Sequence, residues 1–463
     1  MINPVEVGAA EIERYRALVD GEMWSELEST MRELAAGLKG RTLWNVNSTA
    51  HGGGVAELLS ALIPYERGAG IDERWVTIEG SPEFFAVTKK IHTLLHGVAS
   101  DASAIHPDER AEYERTMSRN GEALLKMVRP KDVVVLHDPQ TAGLAPALRR
   151  HGAHPVWRAH IGVDKPNDQA RTVWDFLRPS LEAADGWIFS RRSYVWEGLD
   201  SARVHILPPC IDAFTPKNVD LASGDVGAIL AAAELLEGSQ ERIRPEIPRI
   251  TRRAVMSGPP LPPEARVVLQ VSRWDRLKDP LGVMEGFARH IAPHSNSHLV
   301  LAGPVADSVK DDPEQPEVFA ELGSRAGMLP PEIRDRVRIA QLPMEDEDEN
   351  AVLVNALQRH AAVVVQKSFA EGFGLTVAEA MWKGRPVVAS NVGGIEDQIE
   401  DQKSGILVEA DDLEAFGRAV VGLLHDSQRA EQLGAAAKAR VARHFLVPRH
   451  LLEQGRLISS LIS

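Results

Sequence analysis

Two glutamates flank a glycine turn within residues 361–394, the stretch with the strongest chemical signal in the sequence. Glu371 precedes residues 372–374 (Gly-Phe-Gly), and Glu379 follows in a helix predicted to begin near Leu375. Unpaired N–H groups and the helix dipole make a helix N-terminus beside a glycine loop a binding site for anions. Two acids at such a place indicate a ligand with hydroxyl groups as well as phosphate, and a sugar nucleotide has both. The alternative is a capping acid followed by a solvent-exposed helix acid.

Two basic side chains, Arg273 and Lys278, follow the predicted strand RVVLQVS in the same half of the chain. A diphosphate leaving group needs fixed positive charge, which a guanidinium supplies bidentately and an ammonium supplies as a point charge. Basic residues at such positions are also common on ordinary surfaces. Together with the glutamate–glycine stretch, they predict a site for a nucleotide-activated sugar.

A run of three glycines follows the first predicted strand, RTLWNVN, and precedes a predicted helix. The run is Gly52, Gly53 and Gly54. Strand, glycines and helix again form the geometry of an anion site, although the spacing is not that of the dinucleotide-binding fingerprint. The alternative is a glycine turn that binds nothing.

Polar side chains stand where two further predicted strands end. His137, Asp138 and Gln140 follow one apolar strand, and His160 follows the next. Ligands of open α/β sheets bind at the carboxyl ends of the strands. We therefore expect these four side chains to gather along one edge of a sheet and to form part of a site.

Short apolar strands alternate with helical stretches along most of the chain, which predicts two doubly wound, Rossmann-like α/β domains facing each other across a cleft. The first is expected over residues 1–215 and the second over 264–445. Residues 216–263 break the alternation and end in a proline-rich stretch, so they are expected to be a linker or insertion. Apolar residues at helical spacing predict an amphipathic helix near the N-terminus: Trp24, Leu27, Met31, Leu34 and Leu38.

Composition limits the possible partners. The 463 residues carry a formal charge of −14, which argues against binding to nucleic acid or to an anionic membrane as the main activity. A single cysteine excludes an intramolecular disulfide, and a polar N-terminus without a long apolar run predicts a cytoplasmic protein. Trp174, Trp187 and Trp196 are expected to be exposed, which suggests a homodimer.

The motifs of the second half resemble the retaining GT-B glycosyltransferases of glycosyltransferase family four. The resemblance lies in SRWDRLKDP (272–280), LAGP (301–304) and EGFGLTVAEA (371–380). Together with HDPQTAG and WRAHIGVD of the first half, the pattern is similar more narrowly to the glycosyltransferring trehalose synthases and to the retaining trehalose phosphorylases. The resemblance implies a GT-B fold, and the C-terminal helix at about 446–463 is expected to pack back on the first domain.

The resemblance also implies roles for individual residues. Arg273, Lys278, Glu371 and His160 would be catalytic, the two cations stabilising the leaving diphosphate in place of a metal. Glu379 would bind the ribose, and Glu371 the hydroxyls of the donor sugar. The remaining donor-binding residues would be Gly52, Gly53, Gly54, Leu342, Gly372, Phe373, Gly374 and Leu375. The acceptor would be bound by His137, Asp138, Gln140 and His160.

The implied reaction joins the glucose of ADP-, UDP- or GDP-glucose to free glucose and gives α,α-trehalose with retained anomeric configuration. The acceptor hydroxyl would attack from the face that the diphosphate leaves, without a metal or other cofactor. Reversal is expected because the two bonds are close in free energy. The alternatives are a trehalose phosphorylase, a family-four transferase with another small acceptor, and a sugar-nucleotide-binding protein that is not an enzyme.

Overall fold

The computed structural model describes residues 2–50, 53–98, 105–238, 244–306 and 314–462. They form two compact units, one reaching to Ile211 and resuming at His444, the other spanning Asp212–Arg443. Each unit has its own sheet and its own apolar core. The doubly wound α/β organisation predicted for both halves is confirmed.

The sheet of the first unit has the strand order β1-β3-β2-β4-β5-β6-β7 in the part of the chain that is described. Only β1 runs antiparallel, against β3. The strands are β1 (Asn3–Val5), β2 (Leu43–Asn47), β3 (Glu73–Thr77), β4 (Val133–His137), β5 (His154–Ala159), β6 (Gly186–Phe189) and β7 (Val204–Ile206). The helices are α1 (Gly21–Gly37), α2 (Gly54–Gly68), α3 (Pro82–Leu95), α4 (Pro107–Leu124), α5 (Pro139–Ala142), α6 (Ala145–His151) and α7 (Asp168–Leu181).

The sheet of the second unit has the order β14-β13-β12-β9-β10-β11-β8, again for the described residues. Its strands are β8 (Val255–Met256), β9 (Val267–Val271), β10 (His298–Pro304), β11 (Val337–Leu342), β12 (Val363–Gln366), β13 (Val387–Ser390) and β14 (Ile406–Val408). Its helices are α8 (Ser223–Ala232), α9 (Pro280–Gly286), α10 (Glu314–Gly327), α11 (Pro331–Arg334), α12 (Glu347–His360), α13 (Leu375–Trp382), α14 (Gly394–Gln398), α15 (Leu413–His425) and α16 (Ser427–His444).

The described part of residues 216–263 belongs to the second unit, where it supplies α8 and the edge strand β8. Strand β8 pairs antiparallel with β11, and the backbone N–H of Ile339 in β11 donates to the Ser257 Oγ at 2.8 Å. A short strand at a sheet edge tolerates the prolines that follow it, since its outer backbone groups need no ladder partner.

The amphipathic helix predicted near the N-terminus is confirmed as α1. Its five predicted apolar residues are all buried: Trp24, Leu27, Met31, Leu34 and Leu38. The last helix, α17 (Val447–Ile462), packs against α1 within the first unit. Close approach at Gly455, where a side chain would contact Thr30, and an ion pair of 2.9 Å between Arg456 and Glu26 join the two helices.

The prediction that Trp174, Trp187 and Trp196 are exposed is wrong. They are only 4%, 3% and 3% exposed. Trp196 stacks on Trp174 at a centroid distance of 5.6 Å and contacts Trp157 edge-on, so these rings fill the core beside β5 and α7. Trp187 is buried because it lies on β6, an inner strand of a parallel sheet covered on both faces. The argument for a homodimer from these rings therefore fails.

Candidate active site

Lys278 and Glu371, predicted from two separate motifs, lie side by side in the second unit. The Lys278 Nζ is 2.7 Å from the Glu371 Oε1. They follow β9 and β12, which are neighbouring parallel strands, so their carboxyl ends meet at one edge. Gln366 Nε2 and Ser368 Oγ also donate to this carboxylate oxygen, each at 3.2 Å. A mostly buried cation and a mostly buried anion thus form an ion pair at this edge of the sheet.

The loop that carries Lys278 is fixed by a second, buried ion pair. Asp279 has a positive φ of 47°, caps α9 by accepting from Gly282 N at 2.9 Å, and pairs with Lys367. Gln270 Nε2 donates to the main-chain oxygen of Lys278 at 2.8 Å. The backbone from which the Lys278 ammonium extends is therefore held at both ends.

Arg273 lies at the start of the same loop and is more accessible. Its side chain is 53% exposed, and its guanidinium lies 3.6 Å from the carboxylate of Asp275. Asp275 also accepts from Leu277 N at 2.7 Å, which places it inside the loop. An exposed guanidinium and a mostly buried ammonium, carried by one loop, are two positive groups of different accessibility for an anionic ligand.

The glycine turn after Glu371 is held by its backbone conformation and by close packing against α14. Gly374 has φ of +85°, a conformation that L-residues rarely adopt, and it precedes α13. A Cβ on Gly394 would lie 2.6 Å from the Cα of Phe373. Gln398 donates to the main-chain oxygen of Phe373 from the other side. The turn is thus fixed at the start of α13, so its backbone N–H groups lie at the N-terminus of that helix.

Glu379 lies on α13 and is 1% exposed. The Nζ of Lys217 is 3.6 Å from its Oε1, and Lys383 Nζ donates to its main-chain oxygen at 3.2 Å. Lys217 comes from the stretch 216–263, where the sequence offered no motif, and was therefore missed.

The other predicted donor residues of this unit are placed as follows: Leu342 is buried at the end of β11, Phe373 is buried, and Leu375 begins α13.

In the first unit, the predicted glycine run leads into a helix. Gly53 directly precedes α2, Gly54 is its first residue, and both are exposed. Gly52 lies outside the described residues. The N-terminus of α2 therefore has the strand–glycine–helix form that the sequence predicted.

His137 and His160 meet at the carboxyl ends of β4 and β5. Their ring planes are inclined by only 16° with a centroid distance of 5.2 Å, and His137 Nδ1 lies 2.9 Å from His160 Nε2. Asp138 accepts from the backbone N–H of His160 at 2.7 Å. Three of the four polar residues predicted at this edge are therefore in mutual contact.

Asp138 is held in a strained conformation. Its φ is +61° with ψ −179°, which is costly for a residue with a side chain. Its main-chain oxygen accepts from Trp157 Nε1 at 3.0 Å, and its N–H donates to Arg158 O at 2.8 Å. Burial raises the pKa of Asp138 to about 7, although the His160 N–H and the Arg158 charge act in the opposite direction. Such a carboxyl can change charge near neutral pH.

Gln140 follows on the short helix α5. Its Oε1 is buried and makes no hydrogen bond to any residue that the structure describes. A buried amide oxygen costs free energy unless it is hydrogen-bonded. The atom is therefore suited to accept a hydrogen bond from a bound hydroxyl group.

Several buried polar and ionisable groups behind the histidines were missed. Arg158 is 2% exposed and burial lowers its pKa to about 10, so its guanidinium is still charged at neutral pH. Asn45, Glu66 and Glu73 are also buried. The sequence feature that could have indicated them is a polar residue inside an apolar strand, since Asn45 interrupts LWNVN and Arg158 interrupts HPVWRA. Glu66 gave no signal because an acid on a helix is normally solvent-exposed.

The described residues contain no group of three or more His, Cys, Asp or Glu side chains that could hold a metal ion. No helix among them is long and apolar enough to cross a membrane.

Two family models match the chain. One, described as trehalose synthase, N-terminal domain, matches residues 45–196, and the other, described as glycosyl transferases group 1, matches residues 252–440. The chain is therefore a glycosyltransferase built of two parts, each carrying one of the two clusters described above.

Relatives refine this class. The chain is 35% identical to the trehalose synthase of Rubrobacter xylanophilus, with all of both chains covered. It is 26% identical to the trehalose phosphorylase of Pleurotus sajor-caju, covering 93% of this chain and 59% of that one. The chain belongs to the trehalose synthase family of family-four glycosyltransferases, as its motifs predicted.

Solved structures show the same fold. The UDP-forming α,α-trehalose-phosphate synthase of Burkholderia vietnamiensis matches with a TM-score of 0.64 at 14% identity, covering 91% of this chain and 98% of that one. An Anabaena protein crystallised with UDP and glucose matches with a TM-score of 0.60 at 14% identity, covering 91% and 100%. The predicted GT-B fold class is confirmed.

Proposed function

We propose that the protein is a retaining glucosyltransferase that transfers glucose from a nucleoside diphosphate donor to free glucose and forms α,α-trehalose. The observation that carries the proposal is the Lys278–Glu371 pair, 2.7 Å apart at the edge of the sheet of the second unit. One group suits the diphosphate that leaves and the other suits the hydroxyls of the sugar that is transferred. The identity of 35% to a trehalose synthase over the whole chain supports the choice of substrates.

The donor is bound by the second unit. Arg273 and Lys278 pair with the diphosphate oxygens, and Lys278 exchanges part of its contact with Glu371 for the phosphate. Glu371 and the N–H groups after it bind the sugar hydroxyls, and Glu379 binds the ribose. The role of Gly52, Gly53 and Gly54 in donor binding stays a prediction from the sequence. Fixed charges aimed at the leaving group stabilise a transition state in which negative charge develops there.

The acceptor is bound by the first unit, at the edge formed by His137, Asp138, Gln140 and His160. The Asp138 carboxylate and the buried Gln140 Oε1 accept hydrogen bonds from sugar hydroxyls. The acceptor hydroxyl attacks the anomeric carbon on the face from which the diphosphate departs. Its proton passes to a phosphate oxygen of the leaving group, so the reaction needs positioning and electrostatics rather than a protein nucleophile.

A product assay tests the proposal. The purified protein is incubated with free glucose and, separately, ADP-glucose, UDP-glucose, GDP-glucose and glucose 1-phosphate. We expect α,α-trehalose and free nucleoside diphosphate from at least one nucleotide donor. Incubation of trehalose with that diphosphate should regenerate the donor, because the two bonds are close in free energy. Nucleotide release without trehalose would instead indicate another acceptor.

A trehalose phosphorylase is the second candidate, favoured by the 26% identity to the Pleurotus sajor-caju enzyme. That chain is longer, and this one covers 59% of it. Inorganic phosphate would then occupy the place of the diphosphate. Trehalose formed only from glucose 1-phosphate, with none from any nucleotide donor, would replace the first proposal by this one. The cytoplasmic location and the homodimer stay predictions.

A further inference from the structure

A chain of buried hydrogen bonds leads from Arg158 through the core of the first unit to His160. Because Arg158 can only donate, it determines which atom donates and which accepts at the next step. Arg158 NH1 lies 3.4 Å from Gln454 Oε1 and 3.2 Å from His450 Nε2. A guanidinium can only donate. The amide oxygen of Gln454 must therefore face Arg158, and its amide nitrogen must face the other way.

The next members are two adjoining carboxyl groups. Gln454 Nε2 donates to Glu66 Oε1 at 2.9 Å, and the carboxyl of Glu66 lies beside that of Glu73. Both side chains are buried, at 1% and 2% exposure. Two adjoining buried carboxyls share one proton, because two like charges cannot both be held there. Burial and the neighbouring carboxyl raise the pKa of Glu73 well above its usual range, which agrees with this.

The Oε1 atoms of both carboxyls accept from amides, whereas Glu66 Oε2 and Glu73 Oε2 have no hydrogen-bond partner among the described residues, so we assign the shared proton to the Oε2 atoms. Glu73 Oε1 is then left as an acceptor. This oxygen, Oε1, lies 2.6 Å from Asn45 Nδ2, which donates to it. The amide oxygen of Asn45 then faces His137 Nε2 at 2.9 Å. An amide oxygen only accepts, so the His137 proton is on Nε2.

The last step fixes the proton of His160. With its proton on Nε2, a neutral His137 presents Nδ1 as an acceptor, and this atom lies 2.9 Å from His160 Nε2. Burial, followed by the charge of Arg158, holds the pKa of both histidines well below the usual range, so neither is charged at neutral pH. His160 therefore carries its proton on Nε2 and has a lone pair on Nδ1. The side chain is partly exposed at the carboxyl end of β5.

We propose that Asn45 and His137, anchored by Glu73, are positioning residues that hold His160 in its Nε2–H tautomer, so that Nδ1 accepts a hydrogen bond from a hydroxyl of the bound sugar. The proposal rests on the function proposed above. It gives His160 the role of a fixed acceptor for a hydroxyl group, not of a charged donor to phosphate. It also explains why an amide and an acid are buried behind two histidines, where apolar residues would otherwise pack.

The tautomer is measured directly. Long-range ¹H–¹⁵N correlation of ring nitrogens in protein labelled at histidine identifies which nitrogen carries the proton, and His160→Gln and His137→Gln assign the two signals. We expect both rings to be neutral Nε2–H tautomers at pH 7. A His160 signal with the proton on Nδ1, or a charged ring, would overturn the proposal.

Two variants at one position separate positioning from folding. Asn45→Asp keeps an oxygen that accepts from His137 Nε2–H, whereas Asn45→Leu has a similar volume and no acceptor. We expect Asn45→Leu to shift His160 toward the Nδ1–H tautomer and to lower kcat/KM by about 10-fold or more, as loss of a supporting hydrogen bond commonly does. Asn45→Asp should keep the tautomer, because its carboxylate still accepts from His137 Nε2–H, and should lower kcat/KM less than Asn45→Leu, although it loses the N–H that Asn45 donates to Glu73 at 2.6 Å.

Equal losses in both variants, with unchanged ring signals, would mean that Asn45 serves packing alone and would contradict the proposal. The ring signals do not depend on the identity of the substrates. If the protein makes no trehalose, the tautomer can still be determined, and if it makes trehalose with His160 in the other tautomer, only the present inference fails.

Discussion

Lys278 and Arg276 belong to one short helical turn, yet their side chains pair with different partners. The Lys278 ammonium lies 2.7 Å from Glu371, whereas the Arg276 guanidinium lies 3.0 Å from Glu321 of α10. The side chain of Arg276 is 54% exposed and that of Lys278 only 19%. Two cations two residues apart thus differ in environment, which provides a matched pair for testing the role of charge in the site.

Lys278→Ala is expected to lower kcat by about 100- to 1,000-fold, because loss of one preorganised charge at a developing anion has effects of this size. Arg276→Ala removes a cation from the same turn and should leave kcat within about 2-fold, since exposed ion pairs contribute little. Steady-state kinetics with saturating donor and acceptor measure both. Equal effects of the two variants would mean that general loop charge, not Lys278, supports turnover.

Glu371→Gln should separate the two roles of this carboxylate. The amide keeps the shape but removes the counter-ion of Lys278 and the acceptor for sugar hydroxyls, so we expect kcat/KM for the donor to fall by about 10- to 100-fold. Binding of the free nucleoside diphosphate, measured by calorimetry, should not weaken, because it has no transferred sugar. A variant that loses diphosphate affinity in parallel with kcat/KM would indicate a phosphate-binding or structural role.

Glu379→Gln tests the ribose assignment. The side chain is 1% exposed and lies 3.6 Å from Lys217 Nζ, so an isosteric amide is preferable to a truncation. We expect the variant to bind the donor about 10-fold more weakly, as a lost hydrogen bond to a charged group suggests. We also expect the wild-type protein to prefer a ribose donor over a deoxyribose donor and the variant to lose this preference. An undiminished preference would remove Glu379 from the ribose contact.

Much of the fold and the cluster of the second unit could be predicted because local patterns encode them. The apolar strands that precede Lys278 and Glu371 place both residues at one sheet edge, and the glycine turn marks the start of α13. The three tryptophans were misjudged because an aromatic residue gives no periodic signal of its own. Lys217 and Glu66 could not be predicted, since Lys217 pairs with Glu379 and Glu66 with Gln454, and only the folded chain brings these distant residues together.

The pH dependence of acceptor use should report on Asp138. Burial raises its pKa to about 7, so the carboxylate is present above this pH and is protonated below it. If the carboxylate binds the acceptor, kcat/KM for the acceptor should decrease as the pH falls through 7. Asp138→Asn should have low activity without this titration. His137 and His160 remain neutral over the same range because their pKa values are well below the usual range, so they do not produce a competing transition.

Glu73→Gln should stabilise the protein at alkaline pH while preserving activity. Burial and Glu66 raise the pKa of Glu73 in the folded state, so the folded protein binds the Glu73 proton more tightly than the unfolded chain does. The protonated side chain therefore contributes its full stability below the pKa of the unfolded state. This stability is lost as the pH rises through the folded pKa, where the buried group must ionise. Glutamine cannot ionise, and its two amide atoms can accept from Asn45 and donate to Glu66, as the protonated acid does.

We therefore expect Glu73→Gln to raise the melting temperature by a few degrees at pH 8, in keeping with a gain of about 1–2 kcal/mol in a domain of this size, and to change it little at pH 4. Glu28→Gln, on the exposed face of α1, should have no such effect at either pH and serves as the control. Thermal unfolding followed by circular dichroism at both pH values measures the melting temperatures of the two variants and the wild-type protein. A destabilised variant at pH 8 would show that the ionised form of Glu73 is the one that the fold requires, and the direction of the hydrogen bonds toward His160 would then have to be assigned anew.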